Sequence, residues 1–129
     1  MKVTWNNKQY NLKLPKLLYN DDKTKKSQLH LNIRAYLKEK FPLELIYEEV
    51  KLAGTKLKVD FYIPSKNLMV EAQGIQHYEY NEHFHKNKFG MINSNRRDIT
   101  KRLWCEENNI ELVEIKYDQW EDDLRRAIA

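Results

Sequence analysis

The sequence predicts an α/β domain in which a helix, three strands, a second helix, a fourth strand and a closing helix follow in order. Two patterns and one size argument carry that prediction. Leu29, Ile33 and Leu37 recur every four residues, which places them on one helical face. Two neighbouring runs then alternate. Leu57, Val59, Phe61 and Ile63 interleave with Lys58, Asp60 and Tyr62, and Leu68, Val70 and Ala72 with Met69, Glu71 and Gln73. A chain of 129 residues can bury one core but hardly two, so a single domain is expected over 1–129.

Within that domain, residues 1–26 are an N-terminal hairpin and linker, 27–117 the core, and 118–129 a C-terminal helix. In VTWNNKQYNL, two runs of β-favouring residues flank Asn6 and Asn7, and asparagine tolerates the positive φ of a tight turn. LPKLLYNDDKTKK reads as a polar linker. Ser27 caps the helix SQLHLNIRAYLKEKF, and Pro42 stops it. The strands are ELIYEEVKL, KLKVDFYIP after the turn at Ala53, Gly54 and Thr55, and NLMVEAQG after Ser65 and Lys66. A loop rich in aromatics and histidine, IQHYEYNEHFHKNKFG, leads to a helix over SNRRDITKRLWCEENN with Ile99, Leu103 and Trp104 as its apolar stripe. ELVEIKY is a fourth strand. In DQWEDDLRRAIA, Asp118 and Glu121 have capping-box spacing, and Trp120, Leu124 and Ile128 line one face.

Composition narrows the function classes. Hydrophobic residues make up 41% and charged residues 33%, and no apolar run approaches the roughly 20 residues that cross a bilayer. The N-terminus lacks an apolar signal region and Cys105 is the only cysteine, so a reducing, cytoplasmic setting is expected. A net charge of +4 permits anionic partners without identifying one. His77, His83, His85 and Cys105 lack the spacing of a structural zinc site.

Register turns the alternation into chemistry. If the second and third strands form a hairpin closed around Ser65 and Lys66, facing residues have numbers that sum to 131, so Asp60 lies across from Glu71 and Lys58 across from Gln73. The same register sets both apolar faces on one side and gathers two acids on the other. Opposed like charges destabilise an antiparallel pair by roughly 0.2–1 kcal/mol. Solvation, the nearby Lys58 or a divalent cation would offset that repulsion.

VDFYIPSKNLMVEAQGIQHYEY followed by RRDITKRLWCEENNIELVEI resembles the PD-(D/E)XK nuclease superfamily. The resemblance is nearest its small very-short-patch-repair-like and phage or mobile-element endonucleases. It runs from about Ser27 to Tyr117 and rests on Asp60-Phe61-Tyr62, Glu71, Gly74, Gln76-His77, Arg97-Asp98 and Asn109-Ile110 in that order. It implies a restriction-endonuclease-like α-β-β-β-α-β core with a mixed central sheet flanked by helices. It further implies a DNA endonuclease dependent on Mg²⁺ or Mn²⁺, which Asp60, Glu71 and the Ala72 carbonyl would hold.

Gln73 stands where many members of that superfamily carry lysine, and an amide can orient water but not exchange a proton usefully. Lys58 or Lys101 would supply the cation instead. An upstream acid is common in the superfamily. Glu49, read as lying opposite Ile46, Val50 and Leu52, is the choice here, Gln28 and His30 being the polar side chains near the helix start. DNA contacts are expected from Gln76, His77 and Tyr78, with Tyr80 and Phe84 able to stack on bases, and from Arg96, Arg97 and Arg102 along the second helix. The alternatives are a nuclease-fold DNA-binding module that has lost catalysis and acts with a partner, and an assembly protein using the aromatic loop. A homodimer or a larger targeting partner fits so small a chain.

Overall fold

The computed structural model describes residues 1–17, 27–73 and 88–128, and the side chains of these outside 88–95. The elements are β1 (Lys2–Trp5), β2 (Lys8–Asn11), α1 (Gln28–Lys40), β3 (Tyr47–Lys51), β4 (Lys58–Ile63), β5 (Leu68–Gln73), α2 (Lys88–Glu107), β6 (Glu111–Lys116) and α3 (Trp120–Ala127). This is a mixed α/β fold. The main sheet has the order β3-β4-β5-β6, antiparallel except for the parallel β5–β6 pair that α2 connects. No described helix is long and apolar enough to cross a membrane.

Local chemistry sets the element ends. Asn6 and Asn7 take φ of 51° and 64° in the β1–β2 turn, as the asparagine pair predicts. Ser27 accepts the His30 amide at 3.1 Å and caps α1. Between β4 and β5 a single 3₁₀ turn, Pro64–Lys66, ends on Asn67 at φ 51°, and the Asn67 amide bonds the Pro64 carbonyl at 3.0 Å. The loop is therefore longer than a two-residue turn. The pairs Phe61–Val70, Tyr62–Met69 and Ile63–Leu68 nevertheless keep the register that sums to 131.

Both faces of the sheet are buried, which corrects the expectation of one apolar and one open face. On one side Phe61, Ile63, Leu68 and Val70 pack against Ile33 and Leu37 of α1 and Leu124 of α3. On the other, Tyr62 and Met69 pack with Trp104 and Cys105 of α2 and with Val3 of the hairpin. The hairpin is thus part of the core cover. Asn108 ties it down, its Oδ1 accepting the Thr4 amide at 2.8 Å and its Nδ2 donating to the Thr4 carbonyl at 2.9 Å.

Alternation reverses partway along β3. Glu48 points to α1, yet Val50, two residues on, lies in the α2-side cluster. Glu49 between them has φ 54°, a left-handed conformation that turns the strand over. β4 follows suit around Asp60, with Val59 on the α2 side and Phe61 on the α1 side. Ile46, Val50 and Leu52 consequently do not share a face, contrary to the simple period-two reading.

Two helices also depart from expectation. α2 starts at Lys88, several residues before SNRRD, because weak helix formers such as Gly90 and the asparagines are only a weak prior against a helix. Arg96 and Arg97 therefore lie well inside α2, beyond its first turn. Its inward residues are Asp98, Trp104 and Cys105, while Ile99 and Leu103 are half exposed. At α3 the N-cap is Gln119 with no side-chain cap bond, so the Asp118–Glu121 box does not form. Asp123 instead accepts the Lys116 amide at 2.9 Å.

Candidate metal centre

Asp60 and Glu71 meet where the β4–β5 ladder gives out. Instead of backbone pairing, each acid takes an amide from the opposite strand: Asp60 Oδ2 accepts from Ala72 N at 2.8 Å, and Glu71 Oε2 from Asp60 N at 3.2 Å. The sequence register placed these carboxylates together, and the structure brings them together. The other Glu71 oxygen, Oε1, accepts from Lys101 Nζ at 2.6 Å, so α2 delivers a cation to the acid pair. Lys58 does not join them; it is exposed and pairs with Lys51 on β3.

The site is dry enough to move its acids. Burial pushes the Asp60 carboxyl above its ordinary value, with the Glu49 charge adding to that and the Ala72 amide and His30 opposing it. Burial and then the adjacent Asp60 charge push Glu71 up to about 7, against the counteracting Lys101. Two carboxylates held in this way are short of positive charge.

α1 contributes from the other side. His30, 5% exposed, stacks on Phe61 with ring centroids 4.5 Å apart, and its Nδ1 lies 3.9 Å from Asp60 Oδ1. Ligand atoms of His30, Glu49 and Asp60 all lie within 4.8 Å of one another. The imidazole Nε2 is 2.5 Å from Glu48 Oε1, and Arg34 grips the same carboxylate through Nε at 2.7 Å and a terminal nitrogen at 2.9 Å. Burial works to raise the Glu48 carboxyl, but the bonds from His30 and Arg34 outweigh it and leave it below its ordinary value. Glu48 is therefore ionised and accepts the Nε2 proton.

Of the other expected site residues, Gln73 is buried and donates to Glu114 Oε2 at 2.8 Å, away from Lys101 and Glu71. Arg102 also holds Glu114, through a terminal nitrogen at 2.6 Å. Arg96 and Arg97 are exposed on α2. Gly74, Gln76, His77, Tyr78, Tyr80, His83, Phe84 and His85 lie outside the described residues. Cys105 sits 3.6 Å from Met69 Sδ in the apolar cluster, and burial pushes its thiol up to about 12, an environment that disfavours the thiolate a metal needs.

Sequence reasoning did not connect His30, Arg34 and Glu48. The available signal was His30 and Arg34 one turn apart beside the apolar Ile33–Leu37 stripe, where long polar side chains need a partner. The donor set fits a hard divalent cation. Ligand atoms of His30, Glu49 and Asp60 converge, Glu71 lies beside them on the Asp60 amide, and the raised carboxyls of Asp60 and Glu71 are the state that such a charge relieves.

The fold and site thus define an α/β chain with a histidine–carboxylate centre on the middle strands of its sheet. No family model matches the chain, and no solved structure does. It is similar to three viral proteins. The uncharacterized protein 307L of Invertebrate iridescent virus 6 is 46% identical over 67 residues, covering 52% of this chain and 34% of that protein. The uncharacterized protein 033L of Invertebrate iridescent virus 3 is 41% identical over 66 residues, covering 51% of this chain and 34% of that protein. The uncharacterized protein 094L of Frog virus 3 (isolate Goorha) is 38% identical over 65 residues, covering 50% of this chain and 42% of that protein. The matched segments thus span about a third to two-fifths of these relatives.

Proposed function

We propose that the protein is a divalent-metal-dependent DNA endonuclease built on a restriction-endonuclease-like core. The observation that carries this reading is the convergence of Asp60, Glu71 and Lys101 from β4, β5 and α2 at one point. Asp60, Glu71 and the Ala72 carbonyl would hold Mg²⁺ or Mn²⁺. When bound, such an ion polarises a phosphoryl oxygen and makes water a stronger nucleophile.

The remaining work falls to the protein's own side chains. Lys101, fixed against Glu71, offsets negative charge that grows on the phosphoryl oxygens, the task that Gln73 cannot perform from its bond to Glu114. Arg96 and Arg97 on the open side of α2 are available to DNA phosphates, with Arg102 beside them. Gln76, His77 and Tyr78, directly after β5 in the chain, complete the DNA contact in this reading. Replacing Lys101 with methionine is expected to slow cleavage by about 10²-fold while a bound cation is retained, as read by single-turnover rates and calorimetry.

Single-stranded, duplex, nicked and branched DNA incubated with pure protein in Mg²⁺, Mn²⁺ or chelator tests the assignment. Product that appears with metal and vanishes with chelator supports it. Absence of product on every substrate with both ions overturns it. Salt-sensitive DNA binding without product would favour the second reading, a nuclease-fold binding module acting with a partner, which the amide at Gln73 motivates. Solution mass, alone and with DNA, tests the proposed homodimer.

A further inference from the structure

The geometry points to His30 Nδ1 as a direct ligand of the bound cation, together with Asp60 and Glu49, and hence to a centre that selects Mn²⁺ over Mg²⁺. This deepens the nuclease reading and rests on it. His30 is 95% buried by its 5% exposure, and its Nε2 is committed to the ionised Glu48 that Arg34 also grips. With Nε2 bonded to Glu48, Nδ1 is the ring nitrogen left on the Asp60 side.

The neighbour on that side is a carboxylate. Nδ1 to Asp60 Oδ1 is 3.9 Å, too long for a hydrogen bond, and no described residue makes a hydrogen bond to Nδ1. An imidazole nitrogen and carboxylate oxygens gathered this closely are donor types that a divalent transition ion takes up together. Two metal–ligand bonds of roughly 2.1–2.2 Å span up to about 4.3 Å, so one cation reaches both atoms. Glu49 belongs to the same cluster because its left-handed backbone turns β3 over at that residue. A carboxylate donating its charge to the far nitrogen of a ligating imidazole is the arrangement that fixes the tautomer and raises basicity toward a metal. Glu48 is thus a positioning residue.

The ion follows from the donors. Magnesium prefers oxygen alone, whereas an imidazole nitrogen favours first-row transition ions, among which manganese also suits carboxylate and carbonyl oxygen.

Electron spin-echo spectroscopy of the protein loaded with Mn²⁺ alone tests the assignment through nitrogen-14 modulation from a ligating imidazole. Modulation is expected in the wild type. His30→Gln should lose it, with Mn²⁺ affinity falling about 10- to 100-fold and Mg²⁺ affinity changing by less than about threefold. If Mn²⁺ binds and Asp60→Asn abolishes binding, yet the wild type shows no nitrogen modulation, the ligand role of His30 is overturned and the nuclease reading stands. If neither ion binds and no metal-dependent cleavage occurs, both fall. Should His30→Gln fail to fold, the wild-type spectrum is decisive by itself.

Discussion

Asp60→Asn is expected to lower the cleavage rate by at least about 10³-fold in Mg²⁺ or Mn²⁺ while leaving the fold intact. Asparagine keeps a carbonyl oxygen where Asp60 Oδ2 accepts the Ala72 amide, so the strand junction retains its bond. What disappears is the charge that draws a cation. The same substitution removes the neighbouring charge that helps push Glu71 up, so Glu71 moves back toward its ordinary value and cation-free stability holds or rises. Glu71→Gln should behave alike in cleavage. Single-turnover assays beside urea unfolding separate the two effects, and wild-type rates from both variants would remove Asp60 and Glu71 from the chemistry.

Glu48→Ala is expected to destabilise the protein by about 3–5 kcal/mol, because it takes from the buried Arg34 guanidinium the carboxylate that two of its nitrogens hold and frees His30 Nε2 in the same step. The figure is large because Glu48 and Arg34 are 5% and 2% exposed, and solvent cannot replace the lost carboxylate. The ion pair is also linked to acidity. With its folded value below the usual 4.5, Glu48 contributes stability that is present above about pH 4.5 and is lost as the pH falls through that lower value. Urea unfolding near neutral pH measures the loss, and a change under about 1 kcal/mol would mean that the other contacts of Arg34 suffice to hold it.

How far the sequence reached is clearest at the acid pair. A turn placed at Ser65 and Lys66 sets facing residues to sum to 131, and that register holds along β4 and β5, so the meeting of Asp60 and Glu71 followed from residues even though the apolar residues of β4 divide between the two faces. The hairpin turn at Asn6 and Asn7 followed from the tolerance of asparagine for positive φ. The α1 side of the site did not follow. It depends on Glu49 adopting a conformation that non-glycine residues seldom take, and two consecutive glutamates give no sign of which one turns inward.

The face of α2 was missed for a related reason. Counting apolar residues selects Ile99 and Leu103, but the helix turns Asp98 inward; Lys101, one of the two lysines singled out in the sequence, is the one that reaches Glu71. The virus proteins that match about half of this chain do not by their names add a role for any of these side chains.

The clasp between Thr4 and Asn108 joins positions 104 apart in the chain. The hairpin is local in sequence, whereas the asparagine that receives it comes from just beyond α2. Closing so wide a circuit exacts its entropy before the contacts repay it, so docking of the hairpin is expected to be a later step than its own local closure.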